Sequence, residues 1–150
     1  MPDLLQTVDL VKSFPIRQGF FGQRRLRLTA VDRVSLGIEH GETLGLVGES
    51  GCGKSTLGLT LMRLYEPTSG RVLIEGRDIG SLTGEALRQV RRQMQMIFQD
   101  PFASVDPRLT VEQIIREPLD IHKVDTATKR VEQVRALADT VRLPPDALQR

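Results

Sequence analysis

Residues 45–59 read GLVGESGCGKSTLGL. Within them Gly48, Gly53, Lys54 and Ser55 match the spacing G-x-x-x-x-G-K-[ST] of a loop that cradles phosphates. Each residue type has a mechanical reason. Gly48, Gly51 and Gly53 open backbone torsions closed to other residues, so that successive N–H groups, those of Glu49, Ser50 and Cys52 among them, converge on one anion. A helix that follows directly adds unpaired donors and a partial positive charge. Lys54 then brings a full charge to the β- and γ-phosphates and Ser55 offers a hydroxyl to hydrated Mg²⁺, while Thr56 reaches the α-phosphate from the first helical turn. With glycine at roughly 7% of residues, four such fixed positions match by chance in well under about one in a hundred chains of this size. A small-residue structural turn is therefore the weaker reading. Cys52 reads as a small side chain that a tight loop tolerates, and not as a nucleophile, because no His stands near it in sequence.

The flanks fit such a loop. TLGLVG (residues 43–48) is apolar on both faces, as a strand covered on two sides would be. Beyond Gly53, Leu57, Leu61 and Leu64 recur at helical spacing, with Leu59 and Met62 widening the stripe until EPTSG ends it. Upstream, LLQTVDLVKSF (4–14) is rich in β-formers and Pro15 is expected to stop it. PIRQGFFGQRRLR (15–27) suggests an exposed loop or hairpin, and LTAVDRVSLGI (28–38) a half-buried second strand that turns at Gly41. Downstream, RVLIEG (71–76) reads as a short strand, GEALRQVRRQ (84–93) as a helix with its charges ordered for the macrodipole, and MQMIFQD (94–100) as a further buried strand. Pro101 and Pro107 bracket a loop, and Thr110 caps a helix running to about His122. TATKRVEQVRALADTVRL (126–143) places Val131, Val134, Leu137, Ala138 and Val141 on one helical face, ended by Pro144 and Pro145.

Composition narrows the function classes. The 150 residues are 39% hydrophobic and 27% charged, as in an ordinary globular chain able to bury one core. Twenty-one basic and 19 acidic residues leave a formal charge of +2, so no nucleic-acid partner is expected. The short cluster Arg24, Arg25 and Arg27 reads as a solvated loop. A single cysteine favours a reducing compartment, and His40 and His122 are too few for a metal site without help. The N-terminal MPDLLQTVDL lacks the pattern of a signal peptide, and no apolar run approaches the roughly 20 residues of a membrane-spanning helix. If the protein serves a membrane, it is expected to do so from outside the lipid.

HGETLGLVGESGCGKSTLGLTLMRLYEPTSGRVLIEGRDI (40–79), together with RRQMQMIFQDPFASVDPRLTVEQIIREPL (91–119), resembles the ATP-binding subunits of ABC transporters, and LGLVGESGCGKSTL is similar to their peptide and nickel importer branch. The resemblance runs from about Leu4 onward. It implies an α/β fold: a P-loop NTPase core of the ABC ATPase type with an N-terminal antiparallel β subdomain, truncated before the signature motif. Residues 1–42 would be mainly β on the nucleotide-base side, 43–100 the P-loop core, and 101–150 the start of a helical subdomain. It also implies ATP and Mg²⁺ as cofactors. Gln99 matches the Q-loop glutamine that contacts Mg²⁺ and the attacking water, which with Lys54 gives the catalytic pair and with Ser55 the metal contacts. Phe14 matches the adenine-stacking aromatic, with Phe20 or Phe21, or a plain core role for Phe14, left open. The implied partners are a second ATP-binding subunit and integral membrane permease subunits, at the cytoplasmic face of the cell membrane, with 100–114 in the region that receives the permease.

The family's LSGGQ signature, its strand ending in Asp and Glu, and its switch His do not occur among these residues. The resemblance thus implies the front half of a transport-coupled ATPase, with hydrolysis by this chain an open question. Two other readings stand beside it: a nucleotide-binding fragment without hydrolysis of its own, and a P-loop kinase or GTPase. Two strands before the loop and Gln99 in FQDP speak against the last.

Overall fold

A computed structural model describes residues 3–18, 24–100 and 104–150. Phe20 and Phe21 lie outside the described residues, as does the loop start 101–103. The chain divides into two compact units, Met1–Met96 and Ile97–Arg150.

The first unit is built on a four-stranded antiparallel sheet in the order β2-β1-β3-β4, formed by β1 (Leu5–Gln18), β2 (Arg24–Ile38), β3 (Ser69–Ile74) and β4 (Arg77–Asp78). Two helices, α1 (Lys54–Leu61) and α2 (Gly84–Arg91), complete it. Leu10, Val31, Val72 and Ile74 from the sheet form one core with Leu57 of α1, Ile79 and Val90 of α2.

The long β1–β2 ladder is repeatedly bulged. Its register shifts between Thr7 and Leu10, between Leu10 and Lys12, and between Lys12 and Ser13. Asp9 and Arg33 take up two of these shifts in left-handed backbone, at φ 46° and 48°. Each extra residue re-aims the strand that carries it. The buried Thr7 hydroxyl clamps the first bulge by donating to the Val34 carbonyl (2.9 Å) and accepting from the Leu36 amide (3.0 Å).

Three strand expectations need correction. Pro15 does not end β1: the strand continues to Gln18, with Pro15 opposite Arg27. Its pairing with β3 stops at Val11–Ser69, so Pro15 lies where β1 has one neighbour and a missing N–H costs no ladder bond. Of the two readings of 15–27, exposed loop or hairpin, the antiparallel pairing of 15–18 with 24–27 is that of a hairpin. Residues 43–48 are not a buried strand; Leu44, Leu46 and Val47 are 45%, 50% and 90% exposed. Residues 94–100 are likewise irregular, with Ile97 94% exposed. Apolarity on both faces forms a strand only where neighbours supply ladder bonds and cover, and the antiparallel sheet takes up neither segment.

In the helices the apolar stripes are narrower than their spacing suggests. Leu57 is buried and Leu61 packs on the core, but α1 ends before Leu64, which is 49% exposed after the left-handed turn at Arg63.

The second unit holds α3 (Val111–Ile121), α4 (Ala127–Thr140) and a 3-10 turn at Pro145–Gln149. Thr110 caps α3 in a full capping box with Gln113, as its sequence requires. Val134 and Ala138 of α4 are buried with Leu148, whereas Leu137 and Val141 stay exposed. Only the i, i+4 pair of that face meets α3 and the 3-10 turn. Asp120 joins the two helices by accepting from Arg130 (2.8 Å) and Arg116 (2.9 Å), and these bonds hold its carboxyl below the usual carboxylate value of 3.8. No helix among the described residues is long and apolar enough to cross a membrane.

Thr7→Val keeps shape but leaves the half-buried Leu36 amide and Val34 carbonyl unpaired, so urea unfolding should show a loss of about 1–2 kcal/mol. For Asp120 the lowered folded-state pKa sets the sign: its contribution is present above pH 3.8 and lost as pH falls through the lower folded value. Asp120→Asn should therefore flatten the acid limb of the helical unit's stability curve while lowering its plateau.

Candidate functional site

The loop between 48 and 53 enters α1 through Gly53, the helix N-cap, which stands in left-handed backbone at φ 103°. A Cβ there would lie 2.2 Å from the carbonyl oxygen of Ala30. Ala30 falls at the third register shift of the β1–β2 ladder, where β2 has one residue more than its partner strand. The bulge thus delivers a carbonyl against the loop, and only a residue without a side chain fits between them. Gly51, at φ 81°, faces open space instead.

Lys54 opens α1 and folds back over the loop. Its Nζ donates to the carbonyls of Gly48 (2.7 Å) and Glu49 (2.6 Å), with Cys52 Sγ at 3.5 Å. One ammonium therefore gathers the two ends of the loop and stands within it as its positive charge. The first N–H groups of α1 have no carbonyl one turn earlier to engage, and they add donors on the same side as the helix N-terminus. Ser55 is exposed and Thr56 half-buried on that first turn; the Thr56 carbonyl is taken by the Thr60 hydroxyl (2.7 Å). Glu49, Ser50, Gly51 and Cys52 are exposed. The Cys52 amide donates to the Glu49 carbonyl (3.3 Å) across the loop. A lysine bonded to loop carbonyls rather than carboxylates, beside the N-terminus of α1, fits a polyphosphate.

Sequence reasoning brings Gly48 through Thr56 to one place, and the structure does the same. Phe14 is half-buried on β1, opposite Leu28, two residues along β2 from the Ala30 contact. Its ring meets Tyr65 edge to face (centroids 5.4 Å, 82°), and Lys12 Nζ lies 4.9 Å from its centroid. Neither Lys12 nor Tyr65 was expected here. Lys12 had a signal, since positions two apart on a strand share a face; Tyr65 had none. Ala30, too, was invisible as a loop contact, because its role is a backbone carbonyl. Gln99 belongs to the second unit and is exposed on an irregular segment. Among the described residues no three His, Cys, Asp or Glu side chains gather as an ion site. Ser55, exposed on the first turn of α1, is a hydroxyl that the loop offers to Mg²⁺.

Residues 31–149 match the family model for the ABC transporter domain. The chain belongs to the ABC transporter family. Among its curated relatives, the oligopeptide transport ATP-binding protein AppF of Bacillus subtilis is 50% identical over 143 residues, covering 95% of this chain and 44% of AppF. A probable peptide ABC transporter ATP-binding protein of Sinorhizobium fredii is 48% identical over 147 residues, covering 98% of this chain and 42% of the relative. The chain thus spans less than half the length of these ABC relatives. Its fold matches the dimeric structure of MJ0796, a bacterial ABC transporter cassette, with a TM-score of 0.75 at 24% identity over 97% of this chain and 60% of that one. The α/β cassette fold with its N-terminal antiparallel sheet is thereby shown.

Gly53→Ala should push the loop off β2, whereas Gly51→Ala costs only backbone strain of about 1–2 kcal/mol. Calorimetry with magnesium tripolyphosphate should find binding lost in the first variant and weakened in the second. Equal losses would contradict the Ala30 contact as the loop's anchor.

Proposed function

We propose that this chain binds MgATP as the ATP-binding subunit of an ABC importer for peptides. The observation that carries the reading is Lys54, whose ammonium stands inside a loop closed by Gly48 and Glu49 at the N-terminus of α1. The near-half identity to proteins named for oligopeptide and peptide transport supports the transported class.

In this reading the loop residues Glu49, Ser50, Gly51, Cys52 and Gly53 receive the phosphates, the Cys52 amide exchanging its bond to the Glu49 carbonyl (3.3 Å) for a phosphate oxygen. Lys54 exchanges its loop carbonyls for the β- and γ-oxygens and neutralises charge that builds during phosphoryl transfer. Thr56 meets the α-phosphate, and Ser55 offers its hydroxyl to Mg²⁺, an ion that supplies charge neutralisation between the phosphates when bound. Gln99 is assigned by resemblance the role of orienting the attacking water and contacting Mg²⁺. Phe14 receives the adenine. Residues 101–150 are the start of the helical subdomain, and 100–114 are the region that receives the permease. A second ATP-binding subunit completes the assembly at the cytoplasmic face of the membrane. Hydrolysis coupled to transport belongs to that assembly.

Removing Lys54 deletes charge-assisted bonds worth about 1.5–3 kcal/mol. Lys54→Ala should therefore bind MgATP roughly 10- to 100-fold more weakly than the parent chain by calorimetry. Unchanged uptake in the variant, or none in the parent, would refute the reading.

A further inference from the structure

We propose that Lys12 and Tyr65 are positioning residues for base recognition, holding the Phe14 ring so that one face is taken and the other receives a purine. The proposal rests on Phe14 as the base platform and goes beyond it by assigning two further residues.

Three contacts build the arrangement. Tyr65 stands against Phe14 at 82° with centroids 5.4 Å apart, a geometry that fixes the ring's tilt. Lys12 Nζ lies 4.9 Å from the Phe14 centroid and 5.5 Å from that of Tyr65, so one ammonium serves both rings. That ammonium is itself held, because it donates to the Glu66 carbonyl at 2.8 Å. A cation over one face of an aromatic ring draws π density toward itself. The opposite face then favours an electron-rich flat partner, and the purine of a nucleotide is one.

The same residues tie base to phosphate. The Tyr65 amide donates to the Leu59 carbonyl (3.1 Å), which fixes Tyr65 to the C-terminal turn of α1. The N-terminus of that helix carries Lys54 and the phosphate cradle. Eight residues at about 1.5 Å each make α1 a spacer of about 12 Å. The two ends of one rigid element therefore serve the two ends of the ligand.

The test is calorimetry on the whole chain with two ligands, MgATP and magnesium tripolyphosphate, the second lacking a base. Lys12→Met should weaken MgATP binding about three- to fivefold and Tyr65→Leu about two- to tenfold, with tripolyphosphate binding unchanged for both. Lys12→Arg keeps the cation and should restore MgATP affinity. Equal losses for both ligands would mean a general effect on the loop and would overturn the proposal, as would no loss for either. Phe14→Ala separates it from the reading beneath it. If that variant alone loses MgATP selectively, the platform stands and the roles of Lys12 and Tyr65 fall. If the parent binds tripolyphosphate as tightly as MgATP, the platform falls and the proposal with it.

Discussion

The close approach of Gly53 to the Ala30 carbonyl is the constraint on which the rest of the site depends. Without a Cβ at Gly53, the end of the loop lies flat on a bulge of β2, and α1 starts at a fixed point relative to the sheet. With α1 so placed, Leu57 enters the core and Lys54 faces back into the loop. The bulges are therefore part of the site. Ala30 is the extra residue at the third shift, so the bulge sets which carbonyl the loop meets. The Thr7 clamp belongs to the same design, since it holds the first of the three shifts that set where Ala30 falls.

Charge is distributed differently in the two units. In the first, Lys54 is satisfied by carbonyls, partners that a polyanion displaces without leaving a carboxylate stranded. In the second, Arg130 and Arg116 converge on Asp120, and Arg130 also donates to the carbonyls of Val124 and Asp125. Those bonds close the α3–α4 turn around full ion pairs. The contrast separates a binding charge from a structural one: the former faces acceptors that can let go.

Much of this was legible in the chain itself. The loop was readable because phosphate binding demands glycine, lysine and hydroxyl at fixed spacing, and few other demands produce that pattern. The α3 cap was readable because Thr110 and Gln113 satisfy a local rule. What failed did so where neighbours decide. Pro15 sits within a strand because β3 has already ended beside it. Leu137 and Val141 share the apolar face of α4 on paper, yet only Val134 and Ala138 find a partner. Residues 43–48 carry the pattern of a covered strand, but cover is a property of the surroundings and not of the segment. Ala30 could not be read at all, since a backbone carbonyl leaves no mark in the sequence. Gln99 falls in the second unit, a division that spacing along the chain does not show.

The open segment at 43–48 has a consequence for how the protein behaves in bulk. TLGLVG is uncharged, β-prone and in contact with water, the profile of a stretch that stacks with its own kind. Acidic side chains stand at both its borders, Glu42 and Glu49, so two copies brought side by side would set like charges against each other at either end. Like charge at Glu42 and Glu49 therefore opposes such stacking, and one of the two stands inside the glycine loop.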